Sequence, residues 1–300
     1  MTDLLEEIIS KIEVLNPRHT KKLRKNIKSL DADYFAMADS FLEKYQQFLV
    51  SVDKNLDYVI ESYLRMNSDV MYEQIRFMET GKYSSSSFEE VNKRVYNNPE
   101  VMEYYIHGIL LSQVLWAHHY KMFSFFIKNL PAYKDKIKNY LEIGGGHGLF
   151  ISEAIKKLNP DTNFDMVDIS SSSISIAKKF IQDDKVNYIL SDILEYNTNK
   201  KYDFITMGEV LEHVEEPLKL LKRLSELVAD NGYIYITVPA NGPTIDHIYL
   251  FRNADEIREL IHAAGLEVVN EINVYVEDVS KEVAEEQKIT LMYGAFLKKA

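Results

Sequence analysis

The sequence has no cysteine, and that absence excludes several kinds of chemistry together. A disulfide framework, a cysteine–zinc site and a thiol nucleophile all require thiols. Glycine and proline are also scarce, at 11 and 7 of 300 residues, which excludes collagen-like and low-complexity chains. Hydrophobic residues make up 46% of the sequence. A chain of this length and composition is predicted to fold as a globular protein with a sizeable core.

Long apolar runs are missing as well. No run approaches the roughly 20 residues that a helix needs to span a bilayer. Residues 1–10 lack the basic start and the apolar stretch of a signal peptide. Together with the missing cysteine, these features predict a cytoplasmic protein that has no membrane partner.

Basic residues do not outnumber acidic residues in either half of the sequence. The net charge is −11, and residues 1–138 contribute none of it because they hold 19 basic and 19 acidic side chains. An acidic surface repels phosphate backbones, so nucleic acid is not expected as a partner. One basic run, from Lys21 to Lys28, is interpreted as a solvated helix face.

The sequence divides into two regions that differ in the spacing of their apolar residues. Apolar residues at helical spacing fill residues 1–132, which predicts an all-helical region. Within it, Ser87 is predicted to cap one helix, and Asn98–Pro99 to begin another that carries Tyr104 to Tyr120. Residues 133–300 instead alternate short apolar runs with helical patterns, which predicts a mostly parallel sheet with helices on both faces.

The expected strands of this sheet come in two groups. The first five alternate with helices, and the last two are separated only by an acidic loop, so we expect them to pair as an antiparallel hairpin at one edge. The seven predicted strands are Tyr140–Ile143, Phe164–Val167, Val186–Leu190, Phe204–Met207, Tyr233–Val238, Leu266–Val274 and Leu291–Leu297.

A glycine-rich turn follows the first predicted strand. Its sequence is Glu-Ile-Gly-Gly-Gly-His-Gly, from Glu142 to Gly148. Glycines allow a sharp turn and a close backbone approach to a ligand, and the next helix offers free N–H groups. Asp168 ends the second strand, where an acidic side chain is placed to bind a ribose diol. This much fits a dinucleotide and S-adenosylmethionine (SAM) about equally.

Later residues distinguish the two cofactors. Asp192 follows the third strand, and the run Gly-Glu-Val-Leu-Glu-His-Val leaves the fourth at Gly208–Val214. Together with the closing hairpin, these motifs resemble those of the class I SAM-dependent methyltransferases, in the branch of quinone and small-molecule methyltransferases. The resemblance covers roughly residues 138–300. It implies an α/β, Rossmann-like, seven-stranded fold with SAM as cofactor.

The resemblance also implies roles for individual residues. The glycine loop lies against the methionine part of SAM, Glu142 holds the loop and the SAM amino group, and Asp168 binds the ribose. Asp192 bonds the adenine amino group, and its neighbour packs on the ring. The implied cofactor-binding residues are Glu142, Gly144, Gly146, Gly148, Asp168, Ile169, Asp192, Ile193, Gly208 and Glu209.

The expected activity is methyl transfer to a small molecule, in specialised metabolism. A lyase or cyclase that releases methylthioadenosine would show the same binding motifs, and so would a SAM-binding regulator without turnover. The Asn98–Phe126 segment is predicted to cover the cleft and to build the acceptor pocket, although at least half of its aromatics fit a helical core. The candidate catalytic residues are Tyr104, Tyr105, His107, Gln113, His119 and His213.

A metal ion is not expected. On a helix, Glu209, Glu212 and His213 would share one face, and carboxylates with imidazole suit Mg²⁺, Mn²⁺ or Zn²⁺. The same run is nevertheless common in this fold without a metal, and a fourth ligand such as His247 would have to come from elsewhere. The sequence does not encode the oligomeric state legibly, and a homo-oligomer is compatible with it.

Overall fold

The computed structural model describes residues 3–300, which form a seven-stranded sheet with helices on both faces. The strand order is β3-β2-β1-β4-β5-β7-β6, and β7 runs antiparallel to both of its neighbours. The predicted edge hairpin is therefore confirmed. The strands are β1 Asn139–Ile143, β2 Asn163–Asp168, β3 Val186–Leu190, β4 Tyr202–Gly208, β5 Val228–Ala240, β6 Leu266–Tyr275 and β7 Leu291–Lys299.

Helices connect the strands and precede the sheet. Those within the sheet region are α8 Leu149–Lys157, α9 Ser171–Ile181, α10 Pro217–Leu227, α11 Ala254–Ala263 and the short α12 Lys281–Glu286. The acidic connection between the last two strands thus contains a short helix, α12, where the sequence predicts only a loop. Those before the sheet are α1 Asp3–Leu15, α2 Pro17–Lys28, α3 Ala32–Ser51, α4 Leu56–Thr80, α5 Phe88–Val91, α6 Pro99–Leu115 and α7 Ala117–Asn129.

Local signals set most helix starts, and one predicted helix is broken. Ser87 accepts a hydrogen bond from the Glu90 N–H, and Asn98 caps α6 in the same way, as predicted. The helix expected to run through Tyr120 ends at Leu115, because Trp116 has extended backbone, with φ −101° and ψ 115°. The extended backbone at Trp116 therefore separates α6 from α7, and its indole N–H donates to the Tyr63 hydroxyl at 2.9 Å.

The crevice of the sheet lies between β1 and β4, where the strand order changes direction. β1 pairs with β2 on one side and with β4 on the other, so the connections after β1 and β4 diverge. In open α/β sheets, ligands bind at this point, outside the carboxyl ends of the strands. The sequence motifs after β1, β2 and β4 all lie at this edge.

The helical region packs directly on the sheet region. Its core continues onto α8 and α9, where Phe180 contacts the rings of Phe41 and Phe48 at 5.9 and 6.0 Å between centroids. The helix α7 lies on the sheet itself, since Phe126 contacts the Tyr235 ring at 5.1 Å. The division at residues 132 and 133 remains a prediction, and α7 shares a core with the strands that follow it.

The basic run in α2 faces the acidic connection before β7. Lys25 pairs with Asp278 at 3.3 Å, and Lys22 pairs with Glu277. These lysines are exposed, as expected of a solvated face, but they also tie α2 to the sheet region. Within residues 3–300, every helix is too short or too polar to span a bilayer.

Replacing Phe126 by Ala tests the packing of α7 on the sheet. The side chain is fully buried among Phe150, Phe204 and Tyr235, so we expect the free energy of unfolding to fall by about 3–5 kcal/mol. Chemical denaturation measures it. Tyr72→Ala is the control, because that ring is 65% exposed and its loss should cost under about 0.5 kcal/mol. Equal losses for both variants would contradict the packing described here.

Candidate cofactor and acceptor site

The glycine loop after β1 is held in a conformation that only glycine adopts freely. Gly144, Gly146 and Gly148 have φ of +62°, +53° and +74°. A Cβ on Gly144 would lie 2.6 Å from the Val210 side chain, and one on Gly148 would lie 2.5 Å from Ile181. A Cβ on Gly146 would meet no atom within 4 Å. The loop is therefore packed at both ends and open in the middle, as a ligand cradle requires.

A buried carboxylate lies beneath this loop. Glu142 is buried at the end of β1, and its Oε2 has no hydrogen-bond partner. Burial raises the pKa of Glu142 well above its ordinary value. An unpaired buried oxygen costs free energy, so this position favours a ligand that brings a hydrogen-bond donor, such as an ammonium group.

Asp168 lies at the end of β2 and connects to the loop. Its Oδ2 accepts from the Gly146 N–H at 3.1 Å, and its Oδ1 accepts from the Ser170 N–H at 2.8 Å. Burial raises the pKa of this carboxyl too. The apolar side chains of Ile169 and Leu190 flank it and are 51% and 59% exposed. Leu190 is the strand partner of Asp168. The sequence predicts it only as the last residue of β3 and gives no sign that it lies beside the site.

The residues after β3 differ in exposure. Asp192 is half-buried, and its Oδ1 accepts from the Leu194 N–H at 2.8 Å, which leaves its other oxygen for a ligand. Ile193 is buried in the core between the sheet and α10, and its carbonyl accepts from the Arg223 Nε–H at 3.2 Å. The predicted contact of Ile193 with an adenine ring stays a prediction.

The backbone is strained where β4 ends. Glu209 has φ +54°, a left-handed conformation that is uncommon outside glycine and costs of order 1–3 kcal/mol. Its N–H donates to the Thr237 carbonyl at 3.0 Å, and its Oε1 is buried without a partner. A Cβ on the preceding Gly208 would lie 2.9 Å from Phe150. Burial raises the pKa of Glu209 above its ordinary value.

A second buried carboxylate follows, together with two imidazoles. Glu212 is fully buried, and neither of its carboxylate oxygens has a hydrogen-bond partner. Its Oε1 lies 3.7 Å from His213 Nε2 and 3.8 Å from His247 Nε2. Burial, and secondly the charge of Glu209, raise the pKa of Glu212 well above its ordinary value. The sequence groups Glu212 with Glu209 and His213, and offers His247 only as a guess for a fourth residue.

Tyrosines from the helical region reach this cluster. The Tyr105 hydroxyl donates to Asp246 Oδ1 at 3.0 Å, and the Tyr96 hydroxyl lies 3.2 Å from His213 Nδ1. Tyr96 and Asp246 were missed because neither stands in a motif. The π-helical turn Asn92–Tyr96 that presents Tyr96 also has no clear sequence signal.

The other candidates of the Asn98–Phe126 segment are divided between the core and the cleft. The Tyr104 hydroxyl donates to Asp69 at 2.6 Å, and His107 Nδ1 contacts the Tyr45 hydroxyl at 2.8 Å, so both lie inside the helical region. Burial lowers the pKa of His107 to about 4.

His119 lies on the cleft side. Burial, and secondly the charge of His147 in the glycine loop, lower the pKa of His119 to about 3. Its Nδ1 lies 3.3 Å from Gln113 Nε2 and 3.0 Å from Ser112 Oγ. The neighbouring His118 ring contacts that of His119 at 4.7 Å between centroids.

Comparison with known proteins agrees with this geometry. A family model described as a methyltransferase domain matches residues 116–271, more than half of the chain. The match begins at Trp116 and so includes α7.

Among curated relatives, a malonyl-[acyl-carrier protein] O-methyltransferase of Ilyobacter polytropus is 31% identical over 104 residues, covering 34% of this chain and 38% of the relative. A ubiquinone biosynthesis O-methyltransferase of Coxiella burnetii is 26% identical over 182 residues, covering 53% of this chain and 76% of the relative. The chain therefore spans about two fifths of the Ilyobacter protein.

Among solved structures, the mitomycin 7-O-methyltransferase MmcR superposes with a TM-score of 0.53 at 12% identity, covering 77% of this chain and 68% of the other. At that identity the likeness concerns the fold alone. Together, the family match, the strand order and the loop geometry establish that the chain belongs to the methyltransferase domain family, in the class I group that uses SAM as cofactor.

Proposed function

We propose that this chain transfers the methyl group of SAM to an oxygen of a small-molecule acceptor and releases S-adenosylhomocysteine. The observation that supports it most is the open cradle at Gly146, with the unpaired Glu142 carboxylate below it and a buried polar cluster across the crevice at the end of β4. The relatives named above are O-methyltransferases, which favours oxygen as the acceptor atom.

The residues around the cradle fit SAM in charge and shape. The Glu142 Oε2 would accept from the amino group, and Asp168 would bind the ribose hydroxyls. Ile169 and Leu190 offer exposed apolar surface beside Asp168 for the adenine ring. Asp192 has one carboxylate oxygen left for the adenine amino group. Carboxylates at three points of the site also complement the positive charge of the cofactor.

SAM supplies an activated methyl group on a good leaving group, so the chain itself has to position the acceptor, exclude water and receive a proton. The helical region would shield the crevice from solvent with Tyr96, Tyr105 and His119, since the hydroxyls of Tyr96 and Tyr105 already contact His213 and Asp246. Hydrogen bonds from Tyr105 and Thr244 fix Asp246, whose backbone carbonyl in turn lies 2.9 Å from His213 Nδ1. His213 thereby presents its Nε2 toward the end of β4, where a hydroxyl proton would be taken up. The specialised-metabolite class of the acceptor stays a prediction.

The glycine cradle has a matched test in two substitutions. Gly146→Ala and Gly81→Ala both place a Cβ at positive φ with no atom within 4 Å, and Gly81 lies at the end of α4, outside the cleft. We expect each to cost about 1–2 kcal/mol of stability. Only Gly146→Ala should weaken SAM binding, by tenfold or more (about 1.4 kcal/mol), in calorimetric titration. Equal affinities of the two variants would place the cofactor elsewhere.

Asp168→Asn tests the ribose site. It removes the charge while keeping the size, and we expect SAM affinity to fall by about 1.5–3 kcal/mol, or roughly 10- to 150-fold. The exposed Asp161, which lies before β2, provides the control Asp161→Asn. Unchanged affinity in Asp168→Asn would refute the assignment of this residue.

The product separates methyl transfer from cyclisation of SAM. When the chain is incubated with SAM and pools of hydroxylated small molecules, we expect S-adenosylhomocysteine to form only in pools that contain an acceptor. Chromatography with mass detection measures both products. Methylthioadenosine, formed without any acceptor, would show a lyase or cyclase reaction instead.

A further inference from the structure

Imidazole side chains gather where the helical region meets the glycine loop. The His119 ring lies 4.7 Å from that of His118 and 4.9 Å from that of Trp116, measured between centroids. His147 lies in the glycine loop itself, directly after Gly146. After burial, its charge is the next influence that lowers the pKa of His119, so the two imidazoles lie near each other. All three histidines are half-buried, which leaves them open to a ligand in the crevice.

One hydrogen bond determines which nitrogen of His147 carries the proton. The Leu149 backbone N–H donates to His147 Nδ1 at 3.2 Å. A backbone N–H only donates, so Nδ1 offers its lone pair and the proton of the neutral ring is on Nε2. Burial lowers the pKa of His147 to about 4, which keeps the ring neutral near pH 7. Within residues 3–300 this Nε2–H has no acceptor, so it is a free donor beside the open part of the loop.

His119 can present a second N–H donor. Gln113 Nε2 lies 3.3 Å from His119 Nδ1, and Ser112 Oγ lies 3.0 Å from the same nitrogen. The Ser112 hydroxyl proton is already used, because it donates to the Ile109 carbonyl at 2.7 Å. His119 Nδ1 can therefore donate to Ser112, or accept from the Gln113 amide and leave the proton on Nε2. A ligand that needs a donor selects the second of these two tautomers.

Acidic side chains do not pair with this group of imidazoles. In the described part of the chain, the histidine–carboxylate pairs all belong to His213 and His247. Burial is the largest cause that lowers the pKa of His118. The further causes are all basic neighbours, namely His119, Lys22 and Lys121. This side of the crevice therefore suits an anion, in contrast to the acidic groups at the end of β4.

We propose that His147 and His119 bind one carboxylate group, with an imidazole N–H donating to each of its two oxygens. Two neutral N–H donors suit a singly charged carboxylate, whereas phosphate sites usually contain Arg or Lys. Gln113, which sets the tautomer of His119, is a positioning residue. The inference rests on the proposed function, because the ligands of that reaction are the ones that would occupy the crevice.

Two ligands of the proposed reaction can bring this carboxylate. One is SAM, whose methionine part carries a carboxylate on the same carbon as its amino group. If that amino group bonds to Glu142 beneath the loop, the carboxylate has to lie beside the loop, where His147 is. The other is an acceptor that is itself a carboxylic acid and reaches His119 from the helical side. Binding measurements without turnover distinguish the two sources.

Two substitutions of His147 separate the donor from the acceptor of the same ring. In His147→Asn, the side-chain oxygen can still accept from the Leu149 N–H, but nothing replaces the Nε2–H. In His147→Gln, the longer amide can place an N–H near the former Nε2, while the contact with Leu149 is lost. We expect carboxylate binding to fall in the first variant and to be largely kept in the second. A ring that only holds the loop through Leu149 would give the reverse order.

The first titration tests SAM as the source. S-adenosylhomocysteine and its decarboxylated analogue are titrated calorimetrically into the wild type and both variants. If the cofactor brings the carboxylate, His147→Asn should weaken binding of S-adenosylhomocysteine by about tenfold or more, and that of the analogue by less than about twofold. The exposed His262 in the last turn of α11 gives the control His262→Asn, with no change for either ligand.

The second titration tests an acidic acceptor. Benzoate and benzamide have nearly the same shape, and only benzoate is charged. Each is titrated into the chain saturated with S-adenosylhomocysteine. If the acceptor brings the carboxylate, benzoate should bind about tenfold or more tightly than benzamide, and His119→Asn and His147→Asn should each abolish this preference. The affinity for S-adenosylhomocysteine should then be the same in all three chains.

Each outcome decides for or against the carboxylate site. Either of the two patterns supports it and identifies the source. Equal effects of His147→Asn on both nucleosides, together with no preference for benzoate, would overturn it, and so would the reverse order of the two His147 variants. Failure of the wild type to bind S-adenosylhomocysteine would instead contradict the proposed function, and the benzoate pair would then be measured on the chain alone.

Discussion

Buried carboxylates at the carboxyl edge of the sheet are the feature on which the rest of this site depends. Glu142, Asp168, Glu209 and Glu212 all lie there, and three of them have oxygens without a partner. Removing charge from water is unfavourable unless it is paired, so a fold that gathers these groups is complete only with ligands of opposite charge. SAM, the cofactor of this family, would bring a positively charged ammonium and sulfonium group to the β1 side of the crevice, where the unpaired Glu142 oxygen lies.

The same edge also carries strained backbone. Gly144, Gly146 and Gly148 at the end of β1, Glu209 after β4 and Asn241 after β5 all have positive φ. Such conformations cost free energy and persist when the surrounding contacts hold them. Here the strand pairing holds them, since Gly144 and Glu209 donate N–H bonds to the carbonyls of Val167 and Thr237 in neighbouring strands. The hydrogen bonds of the sheet thus stabilise the strained backbone that shapes the crevice.

The sequence predicted the sheet well and the helical cover less well. Strand–helix alternation and the glycine loop follow local rules of period and turn chemistry, so all seven strands are found within a few residues of their expected positions, apart from the longer start of β5. The contacts of Tyr96, Tyr105 and His107 depend on how helices pack in three dimensions, which period does not encode. His107 therefore lies in a core with Tyr45, while Tyr96, which no motif contains, reaches His213. His247 lies 34 residues beyond His213, and only the fold brings the two imidazoles together.

Binding of SAM is the property that the crevice is most directly expected to have. A calorimetric titration of the wild-type chain with SAM, and separately with NAD, measures the central claim directly. One equivalent of SAM with a dissociation constant in the micromolar range, about −8 kcal/mol, together with no detectable binding of NAD, is the result the crevice predicts. Binding of NAD with no binding of SAM would contradict it.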